Sequence, residues 1–150
     1  MKKIEIEVPE GKRAEWVNGV LTFVDEQPKN VMDRIKTFSD AYNALGKEHV
    51  LVKDFDNSIT LTHEHAAYLG LCIIVAALNE GWRPTFAKDE RRWYPWFEIE
   101  DGSVAFVDAY YASSNAVSSY GFRLAFKSEE LAEYAGKQFI GFYKVFLCGW

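Results

Sequence analysis

The chain has 150 residues, 49% of them hydrophobic and 16% aromatic, with 17 basic against 22 acidic side chains and a formal net charge of −5. A chain of this length is expected to form one domain, 1–150, and to bury roughly 68–70% of its unfolded surface without staples. The aromatic content excludes a disordered chain, and the acidic balance weighs against a protein that coats nucleic acid by bulk charge.

Residues Lys3–Val8 alternate between apolar and charged side chains, which predicts a half-buried strand. "PEGKR" then turns the chain. A second strand is expected over Gly19–Asp25, announced by Asn18-Gly19 and pairing with the first as an edge hairpin. After a break at Pro28–Asn30, residues Val31–Leu45 read as helix in two pieces. Thr37 caps the second piece, with Asp40 at its third position and Gly46 just past its end. Ile35, Phe38, Ala41, Tyr42 and Leu45 share one face. Lys47–Ser58 reads as loop.

The next helix is predicted over Thr62–Asn79, with Thr62 as N-cap and Glu64 in the positive first turn. It is apolar on nearly every side, so it is expected to be covered all round as the central core helix, with Leu71, Ile74, Val75 and Leu78 buried. Gly81 and Pro84 end it. "WFEIE" and "SVAFVDAYY" flank Asp101-Gly102, a strong hairpin signal. Ala112–Gly121 is a polar loop of small residues. "FRLAF" is predicted as a strand, with Phe122, Leu124 and Phe126 on one face and Arg123 on the other. Ser128 caps a final helix whose buried stripe runs Leu131, Tyr134, Ala135, Phe139, Phe142, Tyr143 and Phe146. Strands and helices come in runs rather than in strict alternation. The expected class is therefore α+β: an antiparallel sheet with helices packed on one face, a long buried central helix and a C-terminal amphipathic helix.

Four segments in order, "IKTFSDAYNALG", "CIIVAALNEGWRP", "RRWYPWFEI" and "GFRLAFKSEELAEYAGKQF", resemble a family of short uncharacterised proteins of gut Bacteroidales and their phages or prophages. The resemblance spans about Ile35–Leu147 and carries no assigned activity or site residue. It implies a phage- or mobile-element-associated protein of the bacterial cytoplasm.

"MKKIEIEVPE" has no apolar h-region, so no signal peptide is expected. The longest apolar run, Ala66–Leu78, falls short of the ~20 residues of a membrane span. Cys72 and Cys148 do not make a disulfide framework. No cofactor motif appears: nucleophile elbows, Walker loops, kinase signatures and dinucleotide glycine patterns are absent. His63 and His65, two apart, do not share a helix face as zinc ligands do, and only His49 joins them, so no metal is expected. Asp54, Asp56 and Asn57 lack the glycine and terminal glutamate of a calcium loop. Ser113, Ser114, Ser118 and Ser119 have no neighbouring histidine.

The stretch that remains is "ERRWYPWFEIEDG". Pro95 interrupts the strand pattern, so not all four aromatic rings of the stretch fit one buried face. Arginine forks onto carboxylates or phosphates and stacks on rings, and tryptophan favours half-wet positions. Arg91, Arg92, Trp93, Tyr94 and Trp96, joined by Arg123, are the candidate binding residues; the bland alternative is core aromatics with arginines paired to Asp89, Glu90 and Glu98. The functional expectation is a small non-enzymatic binding protein that recognises a host or phage macromolecule, through a protein partner or by self-association and without a membrane. The alternative is a single-stranded nucleic-acid-binding protein using the same Arg/aromatic surface. A catalytic site that no motif marks is the third reading.

Overall fold

A computed structural model describes residues 6–26, 30–60, 62–113 and 122–149. The sequence predicts one domain; the contacts fall into two compact units, Met1–Asn30 and Val31–Trp150.

The first unit is a hairpin of β1 (Lys12–Val17) and β2 (Val20–Asp25), paired from Lys12↔Asp25 to Val17↔Val20. Its two-residue turn is Asn18-Gly19, with φ of 50° and 79°. Positive φ at both positions gives the backbone twist that matches paired strands, and Asn and Gly tolerate it. The first strand is therefore Lys12–Val17, not Lys3–Val8. Ile6–Val8 lies outside any strand, and Lys3–Glu5 falls outside the described residues. The turn signal at Asn18-Gly19 was sound, but the strand before it runs right up to it, ending at Val17.

The second unit opens with α1 (Val31–Arg34) and α2 (Phe38–Leu45). The Thr37 hydroxyl accepts from Asp40 N–H, and the Asp40 carboxylate accepts from Thr37 N–H at 2.8 Å, the reciprocal capping box. The expected loop Lys47–Ser58 is instead α3 (Val50–Asp56) running into a 3-10 turn, Asn57–Thr60. Histidine is an unusual N-cap; here the His49 ring nitrogen accepts from Leu51 N–H at 3.2 Å.

Helix α4 (His63–Asn79) is the central element, with Leu71, Ile74, Val75 and Leu78 all buried. Thr62 stands at its N-cap but makes no side-chain cap bond; its hydroxyl lies 2.8 Å from His65 Nδ1 instead. At the other end Glu80 is left-handed and Gly81 follows at φ 86°. Glu80 pairs with Arg34 and with Lys127, and the Asn79 side chain donates to Ala125 O at 2.8 Å and accepts from Lys127 N at 3.0 Å. This clamp ties α4 to the stretch before the last helices.

Strands β3 (Arg92–Glu100) and β4 (Ser103–Ala112) form an antiparallel hairpin turning at Asp101-Gly102. Register slips between Trp96 and Phe97, where Trp96 faces Asp108 and Phe97 faces Phe106, so Val107 is the extra residue of a bulge in β4. "FRLAF" is not a strand. It makes turns, and only Phe126 reaches the sheet, through an isolated antiparallel bridge to Trp93. Leu124, Ala125 and Phe126 are buried in succession, which period-two alternation cannot do.

Ser128 caps α5 (Glu129–Gln138), its hydroxyl accepting from Leu131 N–H at 3.3 Å. The expected single C-terminal helix breaks at Phe139, whose φ of −111° ends α5 and starts α6 (Ile140–Cys148). These helices cover one face of the β3–β4 sheet. Gly136 lets α5 lie against Pro95 and Phe106, and the Phe97 ring packs 4.7 Å from that of Tyr143 on α6. The Tyr134 hydroxyl donates to Met32 O and Ile35 O, tying α5 to α1. The fold is α+β, with a sheet covered by helices on one face, a buried central helix and amphipathic C-terminal helices. Among the described residues no helix is long and apolar enough to cross a membrane.

Candidate binding groove

Side chains alternate along β3, so Arg92, Tyr94 and Trp96 project to one side of the sheet and Trp93, Pro95, Phe97 and Ile99 to the other. The cross-strand pairs follow this order. Trp96 meets Tyr110 edge-on at 5.5 Å, and Trp93 meets Tyr111 at 5.0 Å. The Arg91 guanidinium lies over the Tyr111 ring, 4.6 Å from its centroid. Tyr111 thus makes a cation–π contact with Arg91 and a tilted ring contact with Trp93, their planes 55° apart.

Arg92 sits differently from its neighbour. It is 1% exposed, and its guanidinium lies 4.5 Å from the Phe86 ring centroid. The segment bearing Phe86 is fixed by Glu90, whose carboxylate accepts from Thr85 N–H and from Phe86 N–H at 2.7 Å. Those backbone bonds, Thr85 foremost, hold the Glu90 carboxyl below its ordinary range, with the Arg92 charge adding to them. Phe86 itself has φ 59°, a left-handed backbone at a bulky residue. Burial pushes the Tyr94 phenol up, partly offset by its hydrogen bond to the Arg92 guanidinium.

These residues border a pocket of about 460 Å³. One wall is β3 from Arg92 and Tyr94 to Ile99; a second is Tyr110–Ala112 of β4; a third is Tyr143, Phe146 and Leu147 of α6, with Leu124 at one end. The lining takes residues from both sides of β3, so the pocket wraps the edge of that strand. Trp96 and Tyr110 are 57% and 52% exposed at its mouth. Burial pushes the Tyr143 phenol far up, so it stays neutral.

The sequence placed six residues on one surface, and the structure divides them. Arg92, Tyr94 and Trp96 line the groove, while Arg91 caps the Tyr111 ring at its rim. Trp93 packs against the core and bridges to Phe126. Arg123 lines a different pocket of about 270 Å³, with Cys72, Trp82 and Phe122, and the two linings share no residue. A flat platform with both arginines outward is therefore not what forms, because Arg92 turns under Phe86. Phe97, Tyr110, Phe146 and Leu147 were absent from the sequence-derived set. Of these, Tyr110 lies in the tyrosine-rich end of "SVAFVDAYY", while Phe97, Phe146 and Leu147 read in sequence only as apolar positions of a strand and a helix.

Elsewhere, Asp54, Asp56 and Asn57 belong to α3 and the turn after it, and Asp56 accepts the Tyr42 hydroxyl at 2.8 Å. Among the described residues no three His, Cys, Asp or Glu side chains gather as metal ligands would. Cys72 and Cys148 are free thiols, and burial pushes Cys72 up. Ser114, Ser118 and Ser119 lie outside the described residues. No protein-family model, no curated protein and no solved structure matches this chain.

Proposed function

We propose that this chain is a non-enzymatic binding protein whose site is the groove between β3 and α6, and that its partner is a protein. The observation that carries this is the exposed Trp96–Tyr110 pair at the mouth of an apolar pocket. Large rings half in water lose apolar exposure on binding and are the usual composition of contact hot spots. Nucleic acid is the weaker reading. The Arg91–Tyr111 stack is a stacking platform, but the exposed carboxylates of Glu98, Glu100, Asp101 and Asp108 stand on the same hairpin and repel phosphate. A phage- or mobile-element setting in the bacterial cytoplasm is part of the proposal and rests on the four-segment resemblance alone.

The test uses Trp96→Ala and Tyr110→Ala, with Arg123→Ala as a control at the second pocket. Proteins retained from a Bacteroidales lysate are identified, made recombinantly and titrated against each variant. The expected result is loss of binding in the first two variants, retention in the control, and stability within about 0.5 kcal/mol of wild type, as for surface positions. A partner that binds all three variants alike overturns the site. Binding of an oligo-dT strand that weakens steeply with salt, and is lost with Trp96, replaces the protein partner with nucleic acid.

A further inference from the structure

The second pocket, of about 270 Å³, is built where the chain reverses at the end of α4. Glu80 is left-handed, Gly81 follows at φ 86°, and Trp82 N–H donates to Asn79 O at 3.0 Å. Trp82 and Arg83 are thereby brought back beside the helix they have just left, and Pro84 fixes φ in the residue after them. Cys72, Val75 and Asn79 of α4 make one wall, and α3 with His49 before it makes another. Arg123 enters from the stretch before the last helices. Burial pushes the Tyr68 phenol and the Cys72 thiol up, and the Arg123 charge acts against this on both. Its guanidinium therefore lies on the α4 side of the pocket. Among the described residues neither Arg83 nor Arg123 forms an ion pair with a carboxylate. Asp54 is the one acid of the lining, so two fixed cations stand against one anion. The His49 Nδ1 accepts from Leu51 N–H, so the neutral ring adds a donor at Nε2 and no negative charge.

We propose that this pocket binds a small organic monocarboxylate with a flat apolar body, its carboxylate held by Arg83 and Arg123 and its body against Trp82. The site is separate from the groove and does not depend on it. A guanidinium presents a planar fork of donors that matches the two oxygens of a carboxylate. An indole offers a broad apolar face to a flat ligand, and Leu45 and Val75 extend the apolar lining. Size limits the ligand as well. Pockets for drug-sized molecules run to roughly 300–1,000 Å³, so this one admits only a smaller molecule. Charge selects among small molecules. A cation is repelled by the two arginines. A second negative charge on the ligand meets Asp54 and the partial negative charge at the carbonyl end of α4, so a monoanion is favoured over a dianion.

The full chain, labelled with nitrogen-15, is titrated by NMR with indole-3-acetate and benzoate, and with indole-3-acetamide and benzamide as uncharged isosteres. Phthalate and phenyl phosphate supply the dianions. The Trp82 indole signal is assigned by its loss in Trp82→Phe. The expected result is a saturable shift of that signal with the acids, at roughly tenfold lower Kd than with the amides, the worth of one charge-assisted hydrogen bond. Arg83→Ala and Arg123→Ala should each raise the Kd of the acids by a similar factor. Both arginines are exposed, so both variants should fold; should either fail, the acid–amide comparison on the unaltered protein decides. Asp54→Asn should bring phthalate closer to benzoate, and Trp96→Ala, in the groove, should change nothing. No saturation up to about 10 mM, or equal binding of acid and amide, overturns the inference. So does a dianion that binds more tightly than the monoanions, or binding that is lost with Trp96→Ala and kept in Arg83→Ala and Arg123→Ala.

Discussion

Gly136→Ala tests the packing that sets the hairpin on its helices. Gly136 lies inside α5, and an added Cβ would sit 2.7 Å from Phe106 Cε2 and 2.8 Å from Pro95 Cβ. Carbon atoms rest at about 3.5–4.0 Å, so the hairpin must back away by about 1 Å. Pro95 has little freedom to yield, being a ring held in a strand. Lys137 Nζ lies over the Phe106 ring, 5.0 Å from its centroid. Overpacking of this kind costs about 1–3 kcal/mol, and the tightness here argues for the upper end. Removing a glycine from a helix interior offsets about 1 kcal/mol. The net loss is about 2 kcal/mol, or about 4–8 °C in Tm for a chain of this size. Gly141→Ala, in α6, is the matched control: nothing lies within 4 Å of its Cβ, so it should gain up to about 1 kcal/mol. Near-ultraviolet circular dichroism melts of both variants are the assay. If Gly136→Ala melts with Gly141→Ala, at or above wild type, the close approach of α5 to β3 is wrong.

Leu78→Ala, at a fully buried site on α4, should destabilise by about 2–5 kcal/mol in denaturant titration. Ser128→Ala should lose about 0.5–2 kcal/mol through its cap bond to Leu131, and an unchanged denaturation midpoint would refute that cap. Asp40 lies below its ordinary value of 3.8, chiefly through the Thr37 hydroxyl bond and then the Thr37 and Lys36 N–H groups. A lowered folded-state pKa means its contribution is complete above the unfolded value and is lost as pH falls from there through the folded one. Asp40→Asn should therefore flatten the acid limb of stability against pH, and an acid limb of unaltered slope counts against it.

Elements with local punctuation were legible in the sequence. Asp101-Gly102, the Thr37–Asp40 box and Ser128 each mark their element with residues close in sequence, and each element stands where they put it. Helix α4 was legible because an all-round apolar surface admits only burial. The misreadings came where tertiary contact decides. α3 carries no ordinary capping residue, since His49 performs that role through a ring nitrogen. "FRLAF" alternates, yet its backbone groups go to Phe122, Asn79 and Trp93 rather than to a ladder. The break at Phe139 has no proline, and the 3,4 apolar spacing runs straight across it. At the site, adjacent arginines look equivalent in sequence. Only the fold, by bringing Phe86 over the second of them, buries Arg92 and leaves Arg91 outside.

The Asn79 clamp bears on the order of events in folding. Its bond to Ala125 joins residues 46 apart, and closing such a loop costs on the order of 3 kcal/mol beyond a constant term, by the logarithmic rule. Packing α2 on α4 closes loops of about 30 residues, which by the same rule cost only a few tenths of a kcal/mol less, so chain closure does not set the order of the two. The order is readable in rates. A clamp formed after the transition state would, on Asn79→Ala, speed unfolding and leave folding alone, whereas one formed before it would slow folding. One buried amide side chain at the end of α4 is thus a reporter of when the two parts of the chain meet.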